Sequence, residues 1–288
     1  MNRLIKIDFL FLGFLFATTI LLVCSWNQTE NAVDLLITRG VILAISLMLI
    51  LLNPVLNSNL FSLLRNSYPV IIAGYFYTET VYYNKLFFKN LDPIFIDFDE
   101  SIFGFQPSLE FSRTFSSSWF SELMYFGYFS LFLIIISFVL LMYFKRKKIF
   151  SKNIFILSFS FFFFYFLFAI FPSAGPQFFF NEIDSKVPVN GYIFKNIMHI
   201  IQASAEQPTG AFPSSHVGIS VTILILARKH LTYFFKICLP LVILLILSTV
   251  YIKAHYAVDA IFGLFITPII VYLATIIYNY PSKKELIN

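Results

Sequence analysis

The stretch Leu123–Phe144, LMYFGYFSLFLIIISFVLLMYF, runs straight into Lys145-Arg146-Lys147-Lys148, and its reading decides the fold class. It carries no charged residue and exceeds the roughly 20 apolar residues that a helix needs to cross a bilayer. A dense Lys/Arg cluster beside such a run marks a cytoplasmic flank, and Lys152 extends this one. Outward in both directions lie five further apolar runs: Ile7–Trp26, Leu36–Asn57, Ile154–Phe171, Leu231–Tyr251 and Ala257–Tyr278. Two shorter ones follow the same pattern less fully. Tyr68–Tyr83 is interrupted by Pro69, Gly74 and Glu79, and Ser214–Ala227 opens on polar residues. Spans of that kind are shielded from lipid by the rest of a bundle.

Composition agrees. Of 288 residues, 59% are hydrophobic and 12% charged, whereas a soluble domain carries about a quarter charged. Such a chain cannot cover itself with polar surface in water, so its solvent is lipid. The 39 Phe and 16 Tyr suit helix interfaces and headgroup-level belts. The net charge of +5 would permit nucleic acid as a partner, but Lys and Arg lie in short loops between apolar runs, where membrane topology puts them. Cys24 and Cys238 sit inside apolar runs as small hydrophobes, with neither disulfide nor metal implied. The first run lacks a small-residue cleavage site, and Val23 before Cys24 does not suit a lipoprotein site, so it reads as a retained helix.

Alternating from the Lys145–Lys148 cluster puts Arg228-Lys229, Lys283-Lys284, Arg65, Arg3 and Lys6 on the cytoplasmic side. The other side receives Glu30 and Asp34, the acidic stretch Asp92–Glu100, the segment Pro172–Pro213 and the turn around His255. The expected fold is all-α, a polytopic transmembrane bundle of about eight spans with both ends inside. Lys85–Phe120 reads as a loop followed by an interfacial helix, and the Phe159–Phe164 run as lipid-facing or packing surface.

Three polar clusters fall on the outer side. Phe212-Pro213-Ser214-Ser215-His216 opens an apolar helix. Ser214 or Ser215 can cap it, and its N-terminal N–H groups favour an anion such as phosphate. In His255-Tyr256-Ala257-Val258-Asp259 the i, i+4 spacing predicts one helical face, where Asp259 can accept from one imidazole nitrogen and leave the other as a nucleophile. Phe171-Pro172-Ser173-Ala174-Gly175-Pro176-Gln177 reads as a helix stop with a turn.

In order and spacing these clusters resemble the type 2 phosphatidic acid phosphatase superfamily, which includes the vanadium haloperoxidases. Its PSxH motif matches Pro213–His216, and its HxxxD motif matches His255 and Asp259. The inositolphosphotransferase-like branch, which holds inositol phosphorylceramide synthases, is similar in F-P-S-x-H (Phe212–His216), in Y-x-x-x-H-Y-x-x-D-x-x-x-G (Tyr251–Gly263) and in the loop Asp97–Pro107. The likeness covers roughly residues 85–275. Phosphatase members carry a Lys and an Arg in the first motif and an Arg six residues before the nucleophile. Here no basic residue precedes Pro176 in that stretch, and Thr249 stands at the Arg position.

The resemblance implies residues 1–66 as N-terminal helices, 67–278 as a phosphatidic acid phosphatase type 2-like catalytic core and 279–288 as a cytoplasmic tail. It implies a lipid phosphatase or phosphotransferase, with a phospholipid or sphingolipid substrate and no metal or other cofactor. His255 would form a phosphohistidine, Asp259 would hold its tautomer, and His216 would protonate the departing alcohol. Ser214, Ser215, Lys253 and Gln177 would bind the phosphate. Two rival classes are a transporter, suggested by Glu79 inside the third run, and a non-catalytic membrane scaffold. A transporter spreads ionisable residues through bilayer depth, whereas here they gather at one face.

Overall fold

The computed structural model describes residues 4–52, 58–180 and 191–281. Twelve α-helices make up its regular structure, with two single 3₁₀ turns and no strand among the described residues. They are α1 (Lys6–Cys24), α2 (Ala32–Leu52), α3 (Asn59–Glu79), α4 (Asp92–Phe103), α5 (Pro107–Thr114), α6 (Ser118–Lys145), α7 (Lys147–Ile170), α8 (Pro176–Phe179), α9 (Ile193–Ala205), α10 (Ser215–His230), α11 (Thr232–Tyr251) and α12 (Ala257–Asn279). Six of them, α1, α2, α6, α7, α11 and α12, are long and apolar enough to cross a membrane. The protein is an integral membrane protein built as a helical bundle.

The two shorter runs are helical as well, with differences. α10 has 16 residues, short for a full crossing. α3 starts nine residues before the expected Tyr68, because Ser58 caps it by accepting from the Phe61 amide at 3.1 Å. That early start takes Arg65 out of the expected cytoplasmic loop. Arg65 is buried, 1% exposed, and its guanidinium pairs with Asp8 of α1, which also accepts from the Tyr68 hydroxyl at 3.1 Å. Glu79 is paired with Arg39 of α2 at 2.6 Å, so it closes a structural clasp among α1, α2 and α3. Lys85–Phe120 is not a loop with one interfacial helix. It holds α4, closed by Gly104 at φ +73°, then α5, and α6 already begins at Ser118.

The Phe-rich α7 is the packed centre of the bundle, lying against α1, α3, α6, α10 and α12. Phe162 stacks on Phe14 with centroids 4.0 Å apart, and Phe164 fills the space left by Gly218 of α10. The run is therefore packing surface on those faces.

Basic side chains gather at one end of the bundle. The Lys6 ammonium donates to the Tyr278 carbonyl at 2.5 Å, Arg146 to the His230 carbonyl at 2.8 Å, Lys147 to Asn59 at 3.0 Å and Lys152 to Asn279 at 2.8 Å. α10 runs away from this end over roughly 24 Å of helix rise, which puts His216 and the turn before α12 at the other end. The expectations for Arg3, Lys283-Lys284 and the last residues of the second run lie outside the described residues.

Candidate active site

The starts of α10 and α12 lie side by side. Ser214 caps α10 by accepting from the Val217 amide at 3.3 Å, and its own amide donates to the Asp259 carbonyl at 3.0 Å. Only glycine at 263 permits this approach, since a Cβ there would stand 2.6 Å from the Ser214 carbonyl oxygen. Between α11 and α12 the chain turns tightly, with Lys253 in the left-handed region at φ 64° and the His255 amide donating to the Thr249 carbonyl at 3.0 Å. The first-motif loop docks against that turn through the Gln177 amide, which donates to the Lys253 carbonyl at 3.0 Å. Gly175, at φ +90°, brings the loop close to the Ala254 carbonyl.

His255 and Asp259 do not share a helical face as the spacing suggested. α12 begins at Ala257, so His255 stands before the helix and Asp259 at its third position. From there the carboxylate folds back onto the helix start and accepts from the Tyr256 amide at 2.8 Å, as such residues do in a capping box. It remains 3.5 Å from His255 Nδ1. The shorter contact from Nδ1 goes to the Ala211 carbonyl, at 2.7 Å. A carbonyl only accepts, so Nδ1 carries the proton and Nε2 keeps its lone pair. Burial pushes the His255 pKa down to about 4, against smaller upward pulls from the Ala211 carbonyl and the Glu206 charge. Nε2 lies 3.4 Å from Nδ1 of His216, within hydrogen-bond reach, and the His216 ring stacks on Tyr128 with centroids 4.6 Å apart.

Around the two histidines a pocket is lined by Tyr77, Tyr128, Gln177, Glu206 and Ala211 among others. A larger apolar cavity of about 540 Å³ runs between α3, α6, α7, α9 and α10 and reaches the same His216 and Glu206. Of the sequence-predicted residues, His255, His216 and Gln177 line the histidine pocket. Ser215 borders the larger cavity, while Ser214 and Asp259 are buried behind the site. Lys253 is 2% exposed, and it is not among the residues lining the pocket.

Two residues central to the site's construction escaped sequence reasoning. Asp92 accepts from the Ala174 and Gly175 amides at 2.8 Å each, from the Ser173 hydroxyl at 3.3 Å and from the Tyr256 hydroxyl at 2.8 Å. It ties the first-motif loop to the His255 turn. Asp99 caps α12, accepting from Ala257 at 2.9 Å and Val258 at 2.8 Å. Burial raises the Asp99 pKa, and those two amide bonds pull it back. The signal was available, because residues seven apart on a helix share a face.

Comparison with curated proteins and with solved structures returns no match. A family model described as the PAP2 superfamily matches residues 94–273, from within α4 to near the end of α12, and takes in both histidines and both buried aspartates' partners. More than half of the chain lies within that match, and the chain belongs to the PAP2 superfamily.

Proposed function

We propose that the protein is a membrane-embedded lipid phosphatase or phosphotransferase working through a phosphohistidine on His255. One observation carries this: the buried His255 presents an unprotonated Nε2 toward His216, with its tautomer held by the Ala211 carbonyl. Nε2 attacks the phosphorus of a lipid phosphate or phosphodiester; the P–N bond forms as the P–O bond to the alcohol breaks. His216, which takes up a proton once the phosphate anion lies beside it, gives that proton to the departing oxygen. It then takes one from the acceptor, water or a hydroxyl, which attacks phosphorus and frees His255. Asp259, 3.5 Å from Nδ1, offsets the positive charge that the ring gains on phosphorylation.

The apolar cavity beside His216 supports a substrate with a hydrocarbon body. The missing first-motif cations and Thr249 favour the inositolphosphotransferase-like branch, with residues 67–278 as catalytic core. The basic end reads as cytoplasmic, so the site faces the external, periplasmic or lumenal side. An impermeant thiol reagent on intact cells tests this: Ser204→Cys should label and Ser151→Cys should not.

The mechanism is tested on purified protein. Incubation with radiolabelled lipid phosphate should leave acid-labile, base-stable label on the wild-type chain and none on His255→Ala. Turnover by His255→Ala at the wild-type rate overturns the reading.

A further inference from the structure

We propose that Glu206 selects the substrate by charge, favouring a monoanionic phosphodiester whose head alcohol donates hydrogen bonds over a dianionic phosphate monoester. The inference rests on the phosphohistidine reading of the same site.

Glu206 follows α9 directly and stands where the histidine pocket meets the apolar cavity, lining both. Its carboxylate is held by neutral donors: the Gln177 amide at 2.5 Å, the Gln202 amide at 3.1 and 3.2 Å, and the Tyr128 hydroxyl at 3.3 Å. No Lys or Arg pairs with it among the described residues. A carboxylate so placed acts on ligands in two ways. It accepts hydrogen bonds and gives none, so it suits hydroxyl or other N–H and O–H donors on the head alcohol. It also repels a second anion, and the repulsion grows in proportion to that anion's charge. The first-motif loop beside it carries no cation to cancel the effect. Gln177 and Tyr128 border the same pocket, so a head group entering there meets Glu206 together with its supports.

The test compares two lipids with the same diacylglycerol body: phosphatidylglycerol, a diester with a hydroxylated head, and phosphatidic acid, a monoester. Wild-type protein in detergent should turn over phosphatidylglycerol with the higher kcat/KM. Glu206→Gln, which keeps shape and removes charge, should lose about tenfold on phosphatidylglycerol and gain about tenfold on phosphatidic acid, the scale of one charge-assisted hydrogen bond. Glu206→Asp should restore the wild-type order. A second arm needs no turnover. Inorganic phosphate, followed by its shift of the unfolding temperature, should bind Glu206→Gln about tenfold more tightly than wild type. An equal loss on both lipids, an unchanged ratio, or an unchanged phosphate affinity overturns charge selection. Turnover of either lipid by His255→Ala overturns the phosphohistidine reading instead, whatever the ratio shows.

Discussion

Replacing Asp92 by Asn tests the tie between the first-motif loop and the turn that carries His255. The wild-type carboxylate serves four donors, with Oδ2 taking the Ala174 amide and Oδ1 taking Gly175, Ser173 and Tyr256. Asparagine keeps one carbonyl oxygen and presents its NH₂ where Oδ2 stood, so it faces the Ala174 N–H donor to donor. An orphaned buried donor costs about 1–3 kcal/mol, and the remaining bonds drop from the charged range of about 1.5–3 to the neutral range of about 0.5–1.5. Together these destabilise the docked loop by about 2–4 kcal/mol, allowing for partial relaxation. Hydrogen exchange followed by mass spectrometry should show the Ala174 and Gly175 amides opening at least tenfold more often, at about 1.4 kcal/mol per factor of ten. The unfolding temperature in detergent should fall as well. Tyr256→Phe, which removes one of the four donors, should show about 1 kcal/mol of the same effect. Asp97→Asn, on the exposed side of α4, should stay within about 0.5 kcal/mol of wild type. Wild-type exchange at Ala174 and Gly175 in Asp92→Asn would refute the idea that Asp92 fixes the loop.

Three further outcomes are expected. His255 acts as the neutral imidazole and its pKa is pushed down to about 4, so the acid limb of kcat/KM should fall through about 4; an acid limb centred near the ordinary value of about 6.5 would contradict the burial argument. Gly263→Ala drives a Cβ to 2.6 Å from the Ser214 carbonyl, a backbone atom, and should cost about 1–3 kcal/mol with loss of activity; an unchanged unfolding temperature would show that α10 and α12 can separate freely. Lys253 is buried and lies outside the histidine pocket, so Lys253→Gln should act through stability and lower the unfolding temperature in detergent; a Gln variant with the wild-type unfolding temperature and kcat/KM lowered at least about tenfold would contradict that placement.

The spans were legible because lipid imposes one requirement on every residue of a run, and composition alone reports it. α7 and α12 could be read that way, and so could the histidine motifs at helix starts. What could not be read was pairing between helices. Arg65 looked like a loop cation because its partner Asp8 lies 57 residues earlier, and no periodicity within α3 points to α1. His255 and Asp259 were given one helical face because spacing does not say where a helix begins. The start at Ala257 turned an orienting carboxylate into a cap, and the Ala211 carbonyl, 44 residues away, took its place at Nδ1. Asp92 and Asp99 were within reach, since both lie on one face of α4. Glu206 was not, because its neighbours in sequence say nothing of the site it enters.

The Arg39–Glu79 clasp bears on how the chain is made. Arg39 emerges from the ribosome 40 residues ahead of Glu79, and an arginine on an isolated helix costs about 2.5–3.5 kcal/mol to insert at the bilayer centre. α1 is already present by then, and it offers the hydroxyls of Thr18 and Thr19 at 3.0 and 2.8 Å from the guanidinium. The first two helices can therefore leave the translocon as a hairpin with the cation half-satisfied. α3 follows and brings the carboxylate that completes it. The insertion of α2 is thus made tolerable by α1, and Thr18 and Thr19 matter most during the interval in which Glu79 has yet to be synthesised.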